Sequence, residues 1–208
     1  MEWKTSKSQV AYEEAVCFME DRVYSIIEGR EDELIWFLEH PHIYTAGSSA
    51  SLSDFLGEAK AELVTTGRGG KITYHGPGQL VIYVMINLMN YFPDIRVFLQ
   101  KLEEVVVNVL KRHNIEGELR ENRVGIWVKE MQTESKIAAI GIRVKKWVTY
   151  HGVAINLNPD LEYFNAIVPC GIKDFGVTSF EKLNVPFDRY AIEEEFKEEF
   201  SKIFVGNF

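Results

Sequence analysis

The 208-residue sequence holds only two cysteines, Cys17 and Cys170, too few to staple a small secreted scaffold. Positive charge is also in deficit. Lys+Arg 23 against Asp+Glu 31 leaves a formal charge of -8, which argues against a dedicated nucleic-acid binder, because phosphate contacts need surplus Lys and Arg. Long apolar runs are missing. The longest, Leu80 to Met89, is interrupted by Asn87 and falls well short of the ~18 residues a membrane span needs. Met1 to Ser8 is polar, without an apolar stretch of signal-peptide type. No repeat, low-complexity tract or Pro/Ser linker divides the chain. The expectation is one soluble, cytoplasmic domain over residues 1–208, monomeric and bound neither to nucleic acid nor to membrane.

Hydrophobic residues make up 46% of the chain and aromatics 12%, enough for a sizeable core. Val16, Met19, Val23, Ile26 and Ile27 recur at helical spacing, so a helix is expected over Ser8 to Glu28, with Gly29 as its stop. Asp94 is a candidate cap for a second helix carrying Phe98, Leu102, Val105, Val106, Val109 and Leu110 on one face. Asp188 precedes a third with Ile192, Phe196, Phe200 and Ile203. Strand-like runs cover Leu34 to Leu38, Leu80 to Leu88, Val124 to Val128, Ile137 to Val144 and Trp147 to Leu157. The last two flank Lys145-Lys146 as an antiparallel hairpin. Few helices among many sequence-adjacent strands predict an α+β fold, with mixed or antiparallel sheets and flanking helices.

The most unusual segment runs from Thr66 to Gln79, TGRGGKITYHGPGQ. Its five glycines sit beside Arg68, Lys71 and His75, and such backbone lets a ligand approach exposed N–H groups. It matches neither a phosphate-binding P-loop nor a dinucleotide fingerprint, so it marks a binding site without naming the ligand. Cys170 lies in an apolar context that suits an inert core thiol. Pro169 and Gly171 around it suit a shaped turn with room for a reacting group instead. Cys17, among Ala15, Val16, Phe18 and Met19, is expected in the core. Lys136 opens the apolar run Ile137 to Gly141; it is either an ordinary strand-end charge or a partly buried amine.

His40-x-His42 on a strand would point two imidazoles to one face, as a zinc site requires. No second metal-type cluster accompanies the pair and Pro41 interrupts it, so no metal is expected. His113 beside Lys111 and Arg112 suits a helix C-terminus. Arg143, Lys145 and Lys146 form the one basic cluster, either a solvated hairpin tip or a docking patch for an acidic partner.

Taken together, several segments resemble the lipoyl(octanoyl) transferase family of lipoate biosynthesis. They are His40-Pro41 with Tyr44 to Gly47, Arg68 to Gln79, Asn122 to Val128, Lys136 to Arg143, His151 to Leu157, and Phe164 to Ile172 with its Pro-Cys-Gly turn. They cover most of the chain in order. His42 stands where the family commonly has a second proline, and Ile142 where leucine is frequent; neither position is expected to do chemistry.

The resemblance implies a fold like the catalytic domain of biotin and lipoate protein ligases. It implies octanoyl-acyl carrier protein as donor, with lipoyl domains of 2-oxoacid dehydrogenase complexes and the glycine cleavage H protein as acceptors, and no cofactor, neither ATP nor metal. Carried over by motif, Cys170 is the acyl-thioester nucleophile and Lys136 lowers its pKa. Substrate contacts are expected from Arg68, Gly69, Gly70, Lys71, Ile72, Thr73, Tyr74 and His75, from Ala139, Ile140 and Gly141, and from Gly152, Val153 and Ala154. Two other readings compete. An ATP-dependent lipoate or biotin ligase would exchange pyrophosphate with ATP and free acid. A non-catalytic scaffold would bind an acyl-carrier or lipoyl protein without transfer.

Overall fold

In a computed structural model, residues 1–56, 60–121, 123–130, 133–167 and 175–206 are described. Chain order begins with β1 (Glu2–Thr5), α1 (Tyr12–Ile27), β2 (Leu34–Leu38), β3 (Ile43–Ala46), β4 (Glu62–Thr65), β5 (Ile72–His75) and β6 (Gln79–Met85). It continues with α2 (Ile95–Arg112), β7 (Gly117–Arg120), β8 (Arg123–Glu130), β9 (Thr133–Lys145), β10 (Val148–Asn156), β11 (Gly176–Val177) and α3 (Arg189–Phe200).

Among the described residues the larger sheet runs β1-β2-β6-β10-β9-β8-β7, with β11 also on β9. Its pairings are antiparallel except β1–β2 and β9–β11. A smaller sheet, β4-β3-β5, stands beside it. The α+β class with mixed sheets is as the sequence predicts.

Alternation along the strands builds two cores. Ile35, Phe37, Ile82, Val84, Val153 and Ile155 pack on one face of the large sheet against Phe98, Leu102, Val105, Val106 and Val109 of α2 and Ile192, Phe196 and Phe200 of α3. The intervening Leu34, Trp36, Leu38, Val81, Tyr83 and Met85 face Ala15, Met19, Val23 and Ile26 of α1. Asp94 caps α2 by accepting from the Arg96 and Val97 amides, and Asp188 caps α3 through the Tyr190 amide. His113 closes α2 and its ring nitrogen pairs with Glu195 at 2.7 Å.

Three expectations change. The first helix starts at Tyr12, after Ala11 with no side-chain cap. Cys17 is exposed, because it lies about 200° around the helix from Ala15, on the face opposite the buried stripe. His40 and His42 fall between β2 and β3 rather than on one strand. Each imidazole has a tyrosine hydroxyl partner at 2.7 Å, Tyr83 for His40 and Tyr74 for His42. No helix among the described residues is long and apolar enough to cross a membrane.

Candidate active site

The Gly-rich run folds back over β9 and β10. The Gly69 amide donates to the Ile142 carbonyl at 3.0 Å, and between run and strands opens a pocket of about 870 Å³, counting its open mouth. Residues 68–73 and 75, 139–141 and 152–154, and Lys136 all line it. Segments far apart in sequence are thus one wall. Tyr74 does not line it; the Tyr74 ring is stacked on Tyr163 at 4.7 Å, within the small sheet's own cluster. Cys170 lies outside the described residues.

Lys136 is buried at 6% exposure, which answers the strand-end question in favour of a buried amine. Its ammonium donates to the Val124 carbonyl at 2.8 Å and sits 4.8 Å from the Trp127 ring centroid. A cation held over indole, with a carbonyl to accept one proton, recovers part of the hydration lost on burial. The strand beside it is adapted to that side chain. Gly125 takes φ +113, and a Cβ there would lie 2.6 Å from the Ala138 carbonyl oxygen and 3.2 Å from Lys136 Cε. Next to it, the β8–β9 register shifts between Ile126 and Trp127.

Arg68 is also buried. Its guanidinium donates to the Thr45 carbonyl (2.6 Å) and hydroxyl (2.7 and 3.1 Å) and to the Gly69 carbonyl (2.9 Å), which fixes the run's first turn. Lys71 pairs with Asp54 at 3.2 Å. Lys136, Arg68 and Lys71 give the pocket wall three basic side chains and, among the described residues, no carboxylate.

Buried His75 and His151 lie near Arg68, and buried His40 packs against His75 with ring centroids 5.9 Å apart. Burial lowers His40 to about 4, opposed by its hydrogen bond to the Val10 carbonyl. That carbonyl only accepts, so Nδ1 carries the proton and Nε2 accepts from Tyr83. Burial, then the His40 and Arg68 charges, hold His75 well below the ordinary imidazole range. Burial, with Arg68 and Arg143, lowers His151 to about 3. All three are neutral at neutral pH. His75 is oriented by Gln79 (3.0 Å), whose amide nitrogen donates to the Tyr74 carbonyl and to Asn156.

Sequence reasoning missed Tyr12, Tyr83 and His151 as lining residues. His151 stands inside a quoted motif; Tyr12 and Tyr83 arrive from α1 and β6 by packing alone. Of the basic cluster, Arg143 lies over the Tyr150 ring, and Lys145 lies 3.7 Å from the Tyr24 centroid and donates to its hydroxyl. Lys146 is exposed in the turn. No group of three or more His, Cys, Asp or Glu among the described residues is placed to hold a metal ion.

The pattern of the family described as "Lipoyl protein ligase A/B catalytic domain" matches residues 11–201. The octanoyltransferase of Wolbachia pipientis subsp. Culex pipiens (strain wPip) is 48% identical over 204 residues, covering 98% of this chain and 99% of that relative. That of Rhodopseudomonas palustris is 50% identical over 210 residues, covering 98% and 85%. A bi-partite lipoate protein ligase from Thermoplasma acidophilum, solved with its E2 lipoyl domain, superposes with a TM-score of 0.70 at 16% identity, over 98% of this chain and 84% of that one. At that identity the likeness is one of fold.

Proposed function

The chain belongs to the lipoyl protein ligase A/B catalytic-domain family, and from that membership we infer that it is an octanoyltransferase acting on lipoyl domains. The donor is octanoyl-acyl carrier protein. The Cys170 thiolate adds to the thioester carbonyl carbon and the carrier's thiolate leaves. A lysine amine of the acceptor then attacks the acyl-enzyme, Cys170 leaves as thiolate, and an amide remains. Thioester exchange is nearly balanced and the amide is the more stable product, so the donor's own activation drives the sequence and neither ATP nor metal is required. Acceptors are the lipoyl domains of 2-oxoacid dehydrogenase complexes and the glycine cleavage H protein. The chain acts as one catalytic domain, as a monomer in the cytoplasm.

The observation that carries this reading is the buried ammonium of Lys136, set in the wall of a pocket whose β9 and β10 side is built from small residues. A fixed ammonium favours a neighbouring thiolate over the thiol. In the second half-reaction the amine's proton passes to the departing sulfur or to a neutral Lys136. The roles of Arg68 to His75, Ala139 to Gly141 and Gly152 to Ala154 are to hold the acyl group and its carbonyl.

The test is a pulse of octanoyl-acyl carrier protein followed by intact-protein and peptide mass spectrometry. One octanoyl group on the Cys170 peptide, chased onto a lipoyl domain without ATP, is the expected result. An unmodified Cys170 peptide during turnover overturns the covalent route. Pyrophosphate exchange with ATP and free octanoate would assign the chain to the ligases instead.

A further inference from the structure

The pocket side of β9 and β10 is a row of small residues in direct register, Ala139 opposite Ala154 and Gly141 opposite Gly152. β6 continues the row with Val81 opposite Ala154 and Tyr83 opposite Gly152. Under the Gly-rich run this row is a trough floor in the pocket that Lys136 also lines, and the Gly69 carbonyl and the Arg68 side chain stand over Gly141. The row stops at the next residue of β10, His151, which pairs with Ile142.

In a regular strand Tyr150 and His151 would project to opposite faces. Here His151 has φ +59, a conformation uncommon for a non-glycine residue and rare within a strand. Its ring therefore lies beside its predecessor's, 5.1 Å from the Tyr150 ring at an interplanar angle of 22°, and edge-on to Tyr83 at 6.0 Å. The following residue accommodates the turn, since a Cβ on Gly152 would lie 2.1 Å from the Ile82 carbonyl oxygen. No hydrogen bond among the described residues uses the His151 ring, which is 3% exposed and lines the pocket. Backbone strain of this kind persists where the surrounding structure imposes it, and it concentrates at functional sites.

We propose that His151, turned onto the pocket face by its left-handed backbone, is the end wall of the acyl trough and sets the length of chain the protein transfers. This rests on the octanoyl-transfer reading, with the reacting carbonyl at the Lys136 end. Burial, with Arg68 and Arg143 beside it, keeps the imidazole neutral, so the terminal methyl meets an uncharged ring.

The experiment compares octanoyl-, decanoyl- and dodecanoyl-acyl carrier protein as donors to a lipoyl domain, for the full chain and for His151→Asn and His151→Gly. Asparagine tolerates the left-handed conformation and glycine removes its strain; far-UV CD verifies that each variant folds. The kcat/KM ratio of decanoyl to octanoyl is expected to rise about tenfold or more in both variants, as burial of two further CH₂ groups implies. An unchanged ratio in a folded variant that still transfers octanoyl overturns the proposal and leaves the parent reading standing. So does equal loss of transfer at every chain length, which would mark the ring as a hydrogen-bonding group. If the unaltered chain transfers no acyl group, it is the parent reading that falls.

Discussion

The Lys136 ammonium donates to the Val124 carbonyl at 2.8 Å while lying over the indole of Trp127. Both partners belong to β8, the strand beside it, so the cation's position is set by backbone geometry as much as by its own rotamer. Lys136→Met keeps an apolar stem of nearly the same length and removes the ammonium. Octanoyl transfer at neutral pH is expected to fall about 10²-fold or more, with the far-UV CD spectrum and cooperative unfolding retained. Near-normal turnover would remove Lys136 from the chemistry.

Gly125 gives a second handle on the same group without touching it chemically. Its φ of +113 and the 2.6 Å separation of a built Cβ from the Ala138 carbonyl leave no room for a side chain. Gly125→Ala is expected to cost about 1–3 kcal/mol in urea unfolding. It should also lower transfer beyond what the folded fraction explains, because β8 must shift away from Lys136. Wild-type activity per folded molecule would show that the lysine does not depend on this strand.

Much of this arrangement could be read from the residues, and the exceptions have physical causes. The α2 face was legible because six apolar residues at helical spacing follow a capping aspartate, and all six are buried. Leu34 to Leu38 was legible as an apolar run bounded by charges, and β2 has those bounds. β1 and β4 were missed because neither is an apolar run and each is largely exposed; their parallel partners supply what local sequence does not. Within the Gly-rich segment, β5 was hidden by glycines on both sides. Cys17 was misjudged by its neighbours in sequence when its neighbours in the helix are three and four residues away.

At the site, the contact of Lys136 with Val124 lies beside a shift in the β8–β9 register that composition does not announce. The backbone flip at His151 is likewise a tertiary outcome, hinted at only by the glycine that follows. Fourteen residues expected to touch substrate were named from motif alone, and thirteen of them line one pocket together with Lys136, because the motif segments meet at the same stretch of β9 and β10.

The basic cluster divides on inspection. Arg143 and Lys145 each lie over a tyrosine ring, so reversing either disturbs local packing as well as charge. Lys146 is exposed in the hairpin turn and isolates the electrostatic question. Lys146→Glu is expected to raise the KM for octanoyl-acyl carrier protein severalfold at low salt, with kcat little changed and the difference shrinking as ionic strength rises. Salt-independent, unaltered kinetics would dismiss the patch as a docking surface.

The neutral histidines make stability depend on pH in a defined direction. His40 is lowered to about 4 and His151 to about 3, whereas in the unfolded chain each titrates near ~6.5. Between those values the unfolded state binds more protons than the folded state, so stability rises with pH. Their contribution is complete above about pH 6.5 and is lost as the pH falls toward the folded values. Each histidine contributes a slope of about 1.4 kcal/mol per pH unit. Urea unfolding between pH 5 and 6.5 should therefore be steeply pH-dependent. In His151→Asn the slope should be shallower by the share of one proton, whatever the variant's absolute stability. Equal slopes in the two proteins would mean that His151 is already protonated in the folded state, against its burial beside Arg68 and Arg143.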